Sequence, residues 1–263
     1  MVPHVICFIP ATFQFSPVPL PQCHSVMRQD SIGLQPSLLL PPNEVPSTIA
    51  KQKRMVLDML DETTLKLAGW DNGDALVADL MAPRYRHFGE VFCGWGVVFA
   101  QCISLGLLGF YYDMEIGGKY HNILRGPGLL FLIQNILTIM SGGFVWFGTP
   151  CSTWVWIARG HTQRSSRNIE GNTCRLDVRQ ANRMVDIVAM LLNLIVVRGV
   201  FYLIEQPSTS CIWRQKKLLK HFRSRPMVHN TPLKKHHVWL GYFGHHLFES
   251  TTLVGIIPAL KSI

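Results

Sequence analysis

The sequence has no paired cysteines. Its seven (Cys7, Cys23, Cys93, Cys102, Cys151, Cys174 and Cys211) are odd in number, widely spaced and form no Cys-x-x-Cys pair. That pattern argues against a zinc site and against a disulfide framework, so no metal is expected and the thiols are read as free. Free thiols fit a reducing intracellular compartment, nucleus or cytoplasm. Acidic residues are scarce, 16 against 25 Lys and Arg, which leaves a net charge of +9. Such an excess favours an anionic partner: nucleic acid, a phosphate-bearing ligand or an anionic membrane surface. A basic leader region is also missing, and Pro3 comes early, so a secretory signal is not expected.

Apolar residues are plentiful at 48% of the chain, enough for a sizeable core. Nine of the sixteen prolines fall before Ser47, so residues 1–46 read as a disordered, Pro-rich tail. Residues 47–83 read as a helical appendage or linker, with Ser47 as N-cap and Ile49, Met55, Val56, Leu57, Met59 and Leu60 on one face. Residues 84–263 read as the main domain. Two stretches of it, 91–112 and 126–158, carry no charge and are long enough to cross a bilayer. Glycines 94, 96, 106 and 109 break the first, and Gln134-Asn135, Ser141-Gly142-Gly143 and Pro150 break the second. Broken there, each becomes a helix of about three turns beside a short strand. A soluble core is therefore the leading reading and a multi-pass membrane protein an alternative.

Strands are expected at Glu90–Cys93, up to Asp113, at Phe144–Gly148 and at 200–205, with a last pair in HVWLGYF and TTLVGII. Helices are expected over VVFAQCISLG, over PGLLFLIQNILTIM with Gly142-Gly143 as its stop, over Val178–Arg198, and in a basic stretch near Trp213–Phe222. The alternation predicts an α/β fold with a mostly parallel sheet and helices on both faces. Ligands of such sheets bind beyond the carboxyl ends of the strands. Chemistry-bearing residues fall at those ends: Gly94 and Gly96, then Asp113 and Glu115, then Pro150-Cys151, then Glu205-Gln206-Pro207.

The turn FCGWG can bring backbone N–H groups close to a ligand ahead of a helix N-terminus. An acid about twenty residues on suits ribose hydroxyls. In GTPCS a proline stiffens the turn that carries Cys151, and a thiol becomes a nucleophile when positive charge or N–H donors stabilise its thiolate. Arg159, His161, Arg164, Arg167, Arg175, Arg179 and Arg183 follow closely. An inert buried cysteine is the competing reading. Glu205 at a strand end could hold or deliver a proton. Between Glu205 and Glu249 there are eight Lys/Arg and no acid, with aromatics interleaved, which suits a nucleic-acid backbone as well as a solvated face.

Taken in order, EVFCGWG, YYDMEIG, GTPCSTW and IEQP resemble the cytosine-five DNA methyltransferase family. That family has an F-x-G-x-G cofactor turn, an acid after the second strand, a Pro-Cys nucleophile and a Glu-Asn-Val or Glu-Asn-Pro triplet. The segment YFGHHLFESTTLVG is similar to a Y-G-x-x-x-x-K-P-T-x-L segment of phage-like members. PCSTW and EQP also resemble methyltransferase-like proteins abundant in dinoflagellate algae. The resemblance implies a Rossmann-like methyltransferase fold. It implies S-adenosylmethionine held by Phe92, Gly94, Gly96, Asp113 or Glu115, with Pro150 beside it. It implies a nucleic-acid substrate, DNA before RNA, whose flipped cytosine is attacked at the six-position by Cys151, contacted by Glu205 and methylated at the five-position. Arg159, Arg164, Gln206 and Pro207 would contact substrate. Departures are Val97 for a glycine, Ser152 and Gln206 for Gln and Asn, and Glu249-Ser250 for Lys-Pro. The stretch after Pro207 is too short for a separate target-recognition domain. A catalytically degenerate cofactor- or nucleic-acid-binding relative stays open beside the enzyme.

Overall fold

The computed structural model describes residues 84–239 and 250–258; the tail of residues 1–46 and the appendage of 47–83 lie outside the described residues. The fold is mixed α/β, built on a six-stranded, mostly parallel sheet. In chain order the main elements are β1 (Arg86–Val91), α1 (Val97–Ser104), β2 (Gly109–Tyr112), a one-turn α2 (Met114–Gly117), α3 (Gly126–Leu137), β3 (Ile139–Phe147), a one-turn α4 (Arg159–Thr162), α5 (Leu176–Val197), β4 (Phe201–Pro207) and α6 (Lys216–Arg223). A two-stranded ribbon, β5 (Met227–Val228) with β6 (Thr231–Pro232), precedes β7 (Lys234–Trp239) and β8 (Ser250–Ile256).

The strand order is β2-β1-β3-β4-β8-β7. β1 to β4 run parallel, while β8 lies antiparallel between β4 and β7. The chain leaves β1 to one side for β2 and returns to the other side for β3. That reversal is a switch point, where the carboxyl ends of two neighbouring strands open a crevice.

Helices cover both faces. On one, Leu129, Leu132, Ile133 and Ile136 of α3 and Val185, Val188, Leu192 and Ile195 of α5 share a core with Val91, Tyr112, Val145, Phe147, Tyr202 and Ile204. Those helical residues recur at spacings of three and four, the stripe an amphipathic helix buries. On the other face, Phe99 of α1 meets the rings of Phe88 and Tyr111, at centroid distances of 5.6 and 5.2 Å. The two charge-free stretches fold as expected, into strand ends, α1, α3 and β3. α5 is long and apolar enough to cross a membrane, but its stripe lies in this core.

Two boundaries correct the sequence expectation. The first strand is Arg86–Val91 rather than Glu90–Cys93, so Phe92 and Cys93 already belong to the turn. Gly142-Gly143 does not end the third helix; α3 stops at Leu137 and the glycines lie inside β3. There the register jumps from Arg86↔Ile139 to Phe88↔Phe144, a bulge. Gly142 takes φ +79, and a Cβ on Gly143 would meet Ile139 Cγ2 at 2.5 Å and His87 O at 2.7 Å. The pair is needed for close backbone approach rather than for termination.

Candidate functional site

The turn after β1 is wound by three left-handed residues, Phe92 (φ 60), Gly94 (φ 51) and Gly96 (φ 66). A Cβ at Gly94 or Gly96 would meet nothing within 4 Å, so the turn borders open space. Phe92 is not a glycine and bears the strain of that conformation. Its backbone N–H donates to Tyr112 O at 2.7 Å and its ring packs against the core.

Asp113, at the end of β2, closes the turn from the side. Its Oδ2 accepts from Gly94 N at 3.0 Å, and its Oδ1 accepts from Glu115 N at 2.8 Å and so caps α2. Of the two acids expected here, Asp113 therefore reaches the glycine turn. Glu115 meets it only through its backbone, and its side chain is exposed on α2. His121 stacks on Tyr112 at 4.8 Å and accepts from Asp113 N at 3.2 Å, which holds the backbone at Asp113.

Below the turn lies Glu90, fully buried. Its Oε2 accepts from Phe99 N at 2.6 Å, in the first turn of α1, and its Oε1 has no partner. Burial pushes its pKa up to about 7, against the pull of the Phe99 and Val98 amides, with Asp113 raising it further. The Cys93 thiol beside it is pushed up to about 12, chiefly by burial, which removes it as a nucleophile at neutral pH.

The second half of the edge is formed by β3 and β4. Thr149-Pro150-Cys151 leaves β3, and Glu205-Gln206-Pro207 ends β4. Gln206 joins them: its amide donates to Thr149 O, and its carbonyl accepts from Ser210 Oγ at 3.0 Å. Pro150 is exposed and Cys151 is a half-buried free thiol. Glu205 is buried, and Thr251 Oγ1 of β8 donates to its Oε1 at 3.4 Å. Glycine turn, Asp113, Cys151 and Glu205 thus share one edge of the sheet.

Of the four residues expected to contact substrate, Arg164 and Gln206 are buried. Arg164 is buried, with its guanidinium 3.5 Å from the centroid of the Trp154 ring and donating to Ile169 O and Asn182 Oδ1. Burial lowers its pKa to about 10, so it stays charged. Its role is to anchor the Pro-Cys loop: Trp154 N donates to Cys151 O at 2.8 Å, and Trp154 O accepts from Cys211 N and Sγ at 2.9 and 3.1 Å. Gln206 is fully buried and spent on the loop tie, so it is a positioning residue. Pro207 ends β4 half-buried. Arg159 stacks over Trp156 at 4.0 Å, beside Ile157, which is 91% exposed.

Sequence reasoning missed Glu90, Trp154 and Cys211. Glu90 carried a signal, an acid inside an apolar strand two residues ahead of a turn. Trp154 and Cys211 carried none, since they meet only in the fold. Compared with known proteins, the chain matches no family model and no curated protein. Among the described residues no cluster of His, Cys, Asp and Glu is arranged to hold a metal ion.

Proposed function

We propose that the chain is a Rossmann-like methyltransferase of the cytosine-five type that uses S-adenosylmethionine on nucleic acid. One observation carries the reading. A glycine turn open to solvent is bonded to Asp113 at a switch point, and the neighbouring strand ends carry Cys151 and Glu205 bound into one unit by Gln206. The donor set fits the cofactor: left-handed glycines that leave room, a helix N-terminus, and a carboxylate level with them for ribose hydroxyls. When bound, S-adenosylmethionine would supply an electrophilic methyl group. The chain's own work is at the base. The Cys151 thiolate adds to the six-position of a flipped cytosine, forming an S–C bond while the ring's 5,6-double-bond pair moves to the five-position. Glu205 faces the ring nitrogen and amino group and holds them through its buried carboxyl. The pair at the five-position would be the one that takes the methyl group, and loss of the five-position proton to water would then return the C–H pair to the ring and expel the thiolate.

The burial of Gln206 favours a second reading, a binding protein without turnover. A fully buried side chain tied to Thr149 and Ser210 offers no surface to a base. Calorimetry of the full chain with S-adenosylmethionine tests the first step, with Gly94→Asp as the control that fills the turn. Heat in the wild type that vanishes in the variant supports the pocket. No heat from a folded wild type sinks the methyltransferase reading. Methylation assays on DNA and RNA with Cys151→Ser then separate enzyme from binder.

A further inference from the structure

Among the described residues β7 is the outermost strand on the β8 side of the sheet, and its side chains alternate. Lys235, His237 and Trp239 are exposed, while Lys234, His236 and Val238 are half-buried. Side chains two apart on a strand share a face and are spaced by about 6.8 Å. One side of this edge therefore presents an ammonium, an imidazole and an indole in a row, the indole 50% exposed. The imidazole is held in place. Its Nδ1 lies 3.0 Å from Thr252 Oγ1 and 3.4 Å from Ser208 Oγ, and Ser208 Oγ lies 2.7 Å from Ser250 Oγ and 3.0 Å from Thr252 Oγ1. His237 is exposed, and Nε2 is the nitrogen these hydroxyls do not engage.

The row has a direction. β7 and β4 are both antiparallel to β8, so they run the same way. Trp239 is therefore at the same end of the sheet as Glu205, Gln206 and Pro207. Ser208, the next residue along, joins the two ends: its N–H donates to Ser250 O at 2.8 Å, and Ser250 pairs with Trp239. Lysines on an edge strand discourage pairing with other strands. That role asks for neither a tethered imidazole nor an exposed indole.

We propose that this row is a track for single-stranded nucleic acid. Lys235 and the Nε2–H of His237 take successive backbone phosphates, and Trp239 stacks a base close to the one at the Cys151–Glu205 edge. Between Glu205 and Glu249 the chain carries eight Lys/Arg and no acid, which complements a phosphate chain. Stacking on an indole needs an open base face, which an unpaired strand offers and a duplex hides. The track rests on the reading of that edge as a nucleic-acid site, and it specifies the form of the substrate.

The test is fluorescence anisotropy of a labelled oligothymidylate and of a duplex of equal length, on the full chain and on Trp239→Ala, Trp239→Phe and Lys235→Glu. The single strand should bind more tightly than the duplex. Trp239→Ala should weaken it roughly tenfold and Trp239→Phe much less. Lys235→Glu should weaken it and reduce the slope of log affinity against log salt by about 0.7. Single-strand affinity unchanged in Trp239→Ala and Lys235→Glu, or a duplex bound as tightly as the single strand, overturns the track. Calorimetry with S-adenosylmethionine on the same variants keeps the two readings apart. Cofactor heat that persists while Trp239 proves irrelevant sinks the track alone. Binding that depends on Trp239, in a chain that takes no cofactor, supports the track and sinks the methyltransferase reading.

Discussion

Glu90→Gln isolates the energetic consequence of a carboxyl sealed beneath α1. In the folded protein its pKa is about 7 because burial opposes the charge. In an unfolded chain a glutamate titrates near 4.3, roughly. The unfolded chain therefore releases this proton first as pH rises, and between those values the folded state holds more protons. Stability from this group is complete below about pH 4.3, falls as pH rises, and is lost above about pH 7. The gap between those two values corresponds to a loss of about 3 to 4 kcal/mol. Glutamine keeps an oxygen for the Phe99 amide and cannot ionise. Urea unfolding of both proteins at about pH 5 and about pH 8 reads the effect directly, because every other titrating group is common to the pair. The variant should gain about 2 to 3 kcal/mol on the wild type between the two conditions. An equal difference at both pH values would refute the account of Glu90 as a buried, proton-holding carboxyl.

His221 has the opposite sign. Burial lowers its pKa to about 4, so its contribution is present above about pH 6.5 and is lost as pH falls towards 4. His221→Gln, which can still face Tyr202 and Asn193, should flatten the acid limb of a stability curve followed by circular dichroism. Gln206→Ala strands Thr149 O and Ser210 Oγ and should cost about 1 to 3 kcal/mol in chemical denaturation. Arg164→Lys removes the planar stack on Trp154 and should lower the thermal midpoint by several degrees, roughly what about 2 kcal/mol implies. Gly143→Ala should destabilise more than Gly94→Ala in the same melts, since the first meets atoms at 2.5 to 2.8 Å and the second only strained backbone.

The helices and most strands were legible because their apolar spacing is local. α3 and α5 bury stripes that recur every three or four residues; periodicity finds α5 within two residues at each end and the start of α3 within one, while α3 ends three residues before the expected Met140. Gly142-Gly143 misled because the same dipeptide can end a helix or bulge a strand, and only the pairing with β1 decides. The positions at the carboxyl edge were legible too, since strand ends fix where a turn residue must lie. What each side chain does there was less so. Arg164 and Gln206 read as substrate contacts in the sequence, yet both are buried, Arg164 against Trp154, Ile169 and Asn182 and Gln206 against Thr149 and Ser210. The place of β8 was hidden for the same reason, because no local pattern records that a strand will enter between two others.

That insertion bears on how the chain is made. β4 pairs with β8 across six residue pairs, and β7 pairs with β8 across six more. During synthesis β4 therefore emerges with one side unpaired and waits for about fifty further residues before its neighbour exists. Until residues 250–256 arrive, the sheet ends at β4 and β7 has no partner in it. Glu205 waits as well, for the Thr251 hydroxyl. A nascent chain stalled before Ser250 would display two bare strand edges to the translation machinery's surveillance, and Glu205 would gain its hydroxyl partner only with β8.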